Sequence, residues 1–160
     1  MAISTACIKT SFINSNTMKK KDTSVSTWKE YGKMGVHIKA NNNKGQQYDM
    51  CCSSFNALRN QIGRALAPRE YDYWDVDRTD EHMSNLLREA VGDSVYKFLS
   101  QEDCDGSLSH TECLDVLEKI KKLKDDTSFK FYPDSFLTID SLKSALEFCY
   151  SHRTKLVWKA

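Results

Sequence analysis

Twelve residues between two apolar helical patterns carry the densest set of oxygen donors in the chain. They run Gln101-Glu102-Asp103-Cys104-Asp105-Gly106-Ser107-Leu108-Ser109-His110-Thr111-Glu112. Asp103 and Asp105 alternate ahead of a glycine. Ser107 and Ser109 alternate after it, and Glu112 closes the set. Short carboxylates, hydroxyls and a backbone carbonyl brought round a tight turn would suit a hard divalent cation, which wants six to eight oxygens. The same residues have a purely structural use. Ser109-x-x-Glu112 is a capping box for a following helix, and Asp-x-Asp-Gly is an acidic turn.

This spacing resembles the EF-hand, a helix, twelve-residue loop and helix that binds calcium. The resemblance covers about residues 88–122. It implies that calcium would be held by Gln101, Asp103, Asp105, Ser107, Ser109 and Glu112. It also implies a positive φ at Gly106 and an inward-packing Leu108. The sequence departs from the pattern at the first position, where a neutral Gln101 stands in place of aspartate. A second loop over 130–141 would begin with Lys130 and end with Ser141, so it lacks ligands. No cofactor other than calcium is implied.

Other motifs are absent. The chain has no phosphate-cradling glycine loop, no nucleophile elbow and no H-E-x-x-H. His82, His110 and Glu112 are available for acid–base chemistry, but no local pattern assembles them. The six cysteines (7, 51, 52, 104, 113 and 149) form no C-x-x-C pair. Cys51 and Cys52 are adjacent, and Cys113 and Cys149 fall on apolar stripes. Reduced thiols, several of them buried, are expected.

Apolar periodicity predicts the elements that would position the loop. A helix over about 54–66 carries Leu58, Ile62 and Leu66, starts with Ser54 as cap and stops at Pro68. One helix over 80–100 carries Met83, Leu86, Leu87, Ala90, Val91, Val95, Phe98 and Leu99, with Gly92 as its weak point. A break there, with Asp93 starting a second helix, is the alternative. Further helices are expected over about 111–124 and 140–150. Phe129–Tyr132 suits a short strand or an extended loop. The expected fold is therefore mostly α: a small domain of about four helices over 54–160, holding one EF-hand-like unit.

Aromatic residues flank this body. Tyr71, Tyr73 and Trp74 lie among Asp72, Asp75 and Asp77, and Trp158 lies in a basic tail. They suit either the core or a protein-docking patch, since tyrosine and tryptophan dominate interface anchors.

The 160 residues carry a formal net charge of +1, which divides unevenly. Residues 1–50 hold eight lysines, no arginine and three acids, and are rich in Ser, Thr and Asn. Their apolar residues are isolated, so an unordered segment is expected. There is no secretory apolar core. The hydroxylated, acid-poor start with Met-Ala resembles a plant chloroplast transit peptide, although lysine replaces arginine throughout. The resemblance implies import to the plastid, on the stromal side, with cleavage after Ala40 or near Cys51-Cys52. A mitochondrial address, or a nuclear or cytosolic one through Lys19–Lys21, is the alternative. The remaining residues are net acidic, which disfavours nucleic acid as a partner. No apolar run is long enough for a transmembrane helix. Together these features point to a non-catalytic plastid factor that works through protein contacts, as an auxiliary or assembly factor, for example for a photosynthetic complex. A low-affinity calcium sensor and a small enzyme subunit are the two alternatives.

Overall fold

The computed structural model describes residues 35–124 and 137–160. Six helices and a four-stranded antiparallel sheet make up these residues, in a mixed α/β arrangement. The expectation of a mostly α fold with about four helices is corrected. The missed strands are only four to six residues long, and β4 pairs with partners far away in the chain, so no sustained local period announces them.

The strands are β1 (Gly35–Ala40), β2 (Tyr48–Cys51), β3 (Asp105–Leu108) and β4 (Leu156–Lys159), in the order β2-β1-β4-β3. The C-terminal strand β4 thus lies between the first strand and the strand inside the twelve-residue loop. Alternation decides which side chains face inward. Val36, Ile38 and Ala40 of β1, Tyr48 and Met50 of β2, Leu108 of β3, and Leu156 and Trp158 of β4 are all buried. Helices cover that face, and the other face carries His37, Asp49, Asp105 and Lys159.

The helices are α1 (Cys52–Leu66), α2 (Pro68–Val76), α3 (Glu81–Val91), α4 (Asp93–Ser100), α5 (His110–Ile120) and α6 (Ile139–Ser151). Pro68 does end α1, and it also occupies the first turn of α2, where its missing N–H costs nothing. Ser54 lies buried within α1 rather than capping it; the N-cap position is Cys51, which makes no side-chain cap hydrogen bond there, although its Sγ lies 3.0 Å from the Ser54 hydroxyl. The single helix favoured for 80–100 is two. Gly92 sits between α3 and α4 with φ of 91°, a conformation that a glycine adopts without a Cβ clash. The apolar stripe nevertheless continues, with Leu87, Val91, Val95, Phe98 and Leu99 all buried. Asp80 caps α3, Ser109 caps α5 and Thr138 caps α6 through side-chain oxygens.

The unordered stretch expected through residue 50 is corrected for residues 35–50, which build β1 and β2. Residues 1–34, and the strand or loop expected over 129–132, lie outside the described residues. A cut after Ala40 would remove β1, an inner strand paired on both sides. A chain beginning at Asn41 should lose its cooperative melting transition by circular dichroism, and one beginning at Gly35 should keep it. Equal melting curves for the two would show that β1 is dispensable.

Candidate functional site

The twelve-residue loop links α4 to α5, and the structure does place its donors on a helix–loop–helix unit. Every donor except Asp105, however, has a protein partner among the described residues. Gln101 turns its amide onto the backbone of Ser107. Its Oε1 accepts from the Ser107 N–H at 2.7 Å, and its Nε2 donates to the Ser107 carbonyl at 3.0 Å. The carbonyl that the EF-hand pattern assigns to calcium is thereby engaged.

Asp103 pairs with Arg59, which reaches it from α1. Arg59 is 1% exposed. Its Nη1 also donates to the carbonyls of Phe98 (3.1 Å) and Gln101 (2.6 Å), and its guanidinium stacks over Phe55. Burial, with Arg78 adding to it, lowers its pKa to about 10, which leaves it charged at neutral pH. A buried cation on three oxygens is the arrangement that desolvation demands.

Glu112 receives Lys97 on both carboxylate oxygens, at 2.9 and 2.8 Å. It also accepts from the Ser109 N–H at 2.7 Å, while the Ser109 hydroxyl accepts from the Glu112 N–H at 3.2 Å. That is the complete capping box. Burial raises the Glu112 pKa, but the Lys97 and Ser109 hydrogen bonds outweigh it and hold the carboxyl below its ordinary value.

Asp105 is exposed on β3, opposite Lys159 of β4. Gly106 does not take a positive φ. It is required for a different reason: a Cβ there would run into the Trp158 indole and the Gln101 amide. Among the described residues no group of three or more His, Cys, Asp or Glu side chains could hold a metal ion. As arranged, with the Ser107 carbonyl, Asp103 and Glu112 all engaged, the loop does not fit calcium.

Cys104, at the fourth loop position, is bonded to Cys52 at the start of α1, with Cα atoms 6.0 Å apart. The expectation of reduced cysteines is corrected at this pair, and also at Cys51, which is disulfide-bonded as well. Separated by 52 residues, Cys52 and Cys104 share no local pattern. Cys113 and Cys149 are free and buried, as their stripes imply. The hydrogen bond that the Cys113 thiol donates to Cys149, together with burial, pushes its pKa well up.

Of the two uses open to the aromatics, the core takes most of them, and a docking patch of Tyr71, Tyr73, Trp74 and Trp158 does not form. Tyr71 and Trp74 are buried on α2, and only Tyr73 of that group is exposed. Burial, together with Asp75, pushes the Tyr71 phenol up to about 12. Trp158 is fully buried against Phe55 and Phe98, and its indole N–H donates to the Glu102 carbonyl at 2.9 Å. Of the acid–base candidates, His82 is exposed on α3, and the Glu112 carboxylate is held in the α5 cap.

The uncovered face of the sheet bears a groove of about 760 Å³. Along the same face runs one row of side chains, Asp49, His37, Lys159 and Asp105, from strand to strand, of which the last three line the groove. His37 Nδ1 lies 2.5 Å from Asp49, whose carboxyl also accepts from Gln47 at 2.8 Å. Burial opposes ionisation of Asp49, but these two bonds prevail and lower its pKa. Lys39, Lys155 and Lys159 line the same groove, as do Gln101, Ser107 and Val157. None of these three lysines forms an ion pair among the described residues. They were not legible in the sequence because Lys39 lies 116 residues before Lys155, and the pairing of β1 with β4 that brings them together was not foreseen.

No protein-family model matches the chain, and neither a curated protein nor a solved structure is similar to it. No helix among the described residues is long and apolar enough to cross a membrane.

Two changes test the loop. Glu112 has a lowered folded-state pKa, so its contribution is present above the ordinary value of 4.5 and fades as pH falls below it. Glu112→Gln should therefore cost about 1–2 kcal/mol at neutral pH and little in acid, read by urea melts at both. Cys52→Ser should cost about 2–4 kcal/mol in oxidising buffer. The difference from the parent chain should vanish under a dithiol reductant.

Proposed function

We propose that this chain is a non-catalytic protein-binding factor that takes an acidic segment of a partner protein on the lysine-lined face of its sheet. The observation that carries this reading is the set Lys39, Lys155 and Lys159 on one open groove, without ion-pair partners among the described residues. The groove is basic although residues 35–160 hold 17 Lys and Arg against 20 Asp and Glu. Charge complementarity of this kind speeds encounter and selects partners more than it adds affinity. Polar neighbours such as Asn41, Asn43 and Gln47 suit hydrogen bonds to an extended backbone.

The plastid remains the proposed address. Residues 1–34 hold six lysines, no arginine and two acids, so the transit-like composition survives when the segment is shortened to end before β1. In that setting the chain would serve as an auxiliary or assembly factor for a plastid complex. The calcium-sensor alternative is weakened by the engaged donors of the loop. The nucleic-acid reading has little support, because only three of the 17 Lys and Arg of residues 35–160 line the groove and this body is net acidic.

The test is fluorescence anisotropy with a labelled oligoglutamate peptide at low salt. The parent chain should bind it. Lys39→Glu/Lys155→Glu/Lys159→Glu should weaken binding about tenfold or more, given a few tenths to one kcal/mol per exposed pair. Undiminished binding by the triple variant, or tighter binding of a single-stranded oligonucleotide than of the peptide, would remove the reading.

A further inference from the structure

We propose that the α4–loop–α5 unit is a calcium-independent EF-hand-like unit, closed by the protein's own donors in the positions where calcium would otherwise gather ligands. Three separate contacts carry this. The Arg59 guanidinium holds the Asp103 carboxylate. The Lys97 ammonium holds both oxygens of Glu112. The Gln101 amide holds the Ser107 carbonyl and N–H at once. Between them they engage the third, seventh and twelfth positions of the loop.

The chemistry of the substitution is consistent at each point. Calcium would supply two positive charges to oxygens that repel one another. Arg59 and Lys97 supply one positive charge each, both from helices that precede the loop in sequence. At the first position the pattern calls for an acid. Gln101 is neutral there, so it removes a charge that no internal cation is left to balance. Its amide also has what aspartate lacks, an N–H to offer a carbonyl. The sequence departure at residue 101 and the two internal cations are thus parts of one arrangement.

Closure has a consequence for the sheet. The Gln101 clamp holds Ser107 in β3, and β3 pairs with β4 along Asp105–Leu108. Gln101, Asp105, Gly106 and Ser107 form one wall of the groove on the open face. That wall stands whether or not calcium is present, so the groove is permanent rather than gated by the ion.

The experiment is a calorimetric titration of calcium chloride into the full chain and into Gln101→Asp/Lys97→Met, with circular dichroism to verify the fold. The parent chain should give no binding heat up to millimolar calcium, the weak end of the EF-hand range at about 10⁻³ M. Its Tm should be the same in calcium and in chelator. The double variant restores the first carboxylate and frees both the Ser107 carbonyl and Glu112. It should give a saturable isotherm and a Tm that rises with calcium. Calcium-dependent heat or a Tm rise in the parent chain would overturn the proposal. So would a natively folded double variant that gains no calcium binding, since the engaged donors would then not be what excludes the ion. Should the double variant unfold, Gln101→Asp/Lys97→Gln, which also frees Glu112 from the ammonium, is held to the same criterion.

Discussion

The insertion of β4 between β1 and β3 is the constraint on which the rest depends. Trp158 is its anchor. The indole is fully buried against Phe55 of α1 and Phe98 of α4, and its N–H is satisfied by the Glu102 carbonyl. One side chain thus joins the C-terminal strand, the first helix, the helix entering the loop and the loop itself. A buried indole contributes large apolar area, and its polar atom is costly if left unpaired. Gly106 meets this demand directly. It stands opposite Trp158 in the β3–β4 ladder and has no Cβ to displace the ring. Its backbone is otherwise ordinary, so packing rather than a left-handed turn accounts for the glycine.

With β3 held in the sheet, the loop has little freedom to reshape around an ion. Arg59, Lys97 and Gln101 satisfy its acceptors, and the Cys52–Cys104 bond ties its fourth position to α1. The energetic logic is that of any buried charge. Arg59 is tolerable in the interior because three oxygens surround its guanidinium, and those oxygens are ordered because Arg59 is there. The outward consequence is a fixed sheet face. Its lysines have no internal partners among the described residues, whereas the loop carboxylates Asp103 and Glu112 both have theirs. That contrast between satisfied interior charges and unsatisfied surface ones directs attention to the groove.

Helices were the legible part of the fold. A helix pairs residues three and four apart, so its buried stripe is written in consecutive residues; Leu58 and Ile62 of α1, and Val116 and Ile120 of α5, show it plainly. Caps were legible for the same reason: Ser109 and Glu112 are three residues apart and satisfy each other. Even the break at Gly92 had a local sign, although the continuous stripe across it argued the other way. Strand β1 had no such sign. Val36, Ile38 and Ala40 alternate with polar residues for only six positions, inside a segment whose composition resembles an unordered leader. Trp158 was equally opaque, because a tryptophan in a basic tail is as suitable for an interface as for a core.

By itself the sequence determined the helical stripes, their caps and the twelve-residue loop with its oxygen donors, since each is a relation among near neighbours in the chain. Only the tertiary structure decided what those donors do. Arg59 meets Asp103 across 44 residues, and Lys97 meets Glu112 across 15. Lys39 joins Lys155 on one face only because β1 and β4 pair. A carboxylate in sequence is equally ready for a metal ion, a lysine or a helix end. Which of these it meets is set by chain segments that folding brings beside it, and that choice has no local period to reveal it.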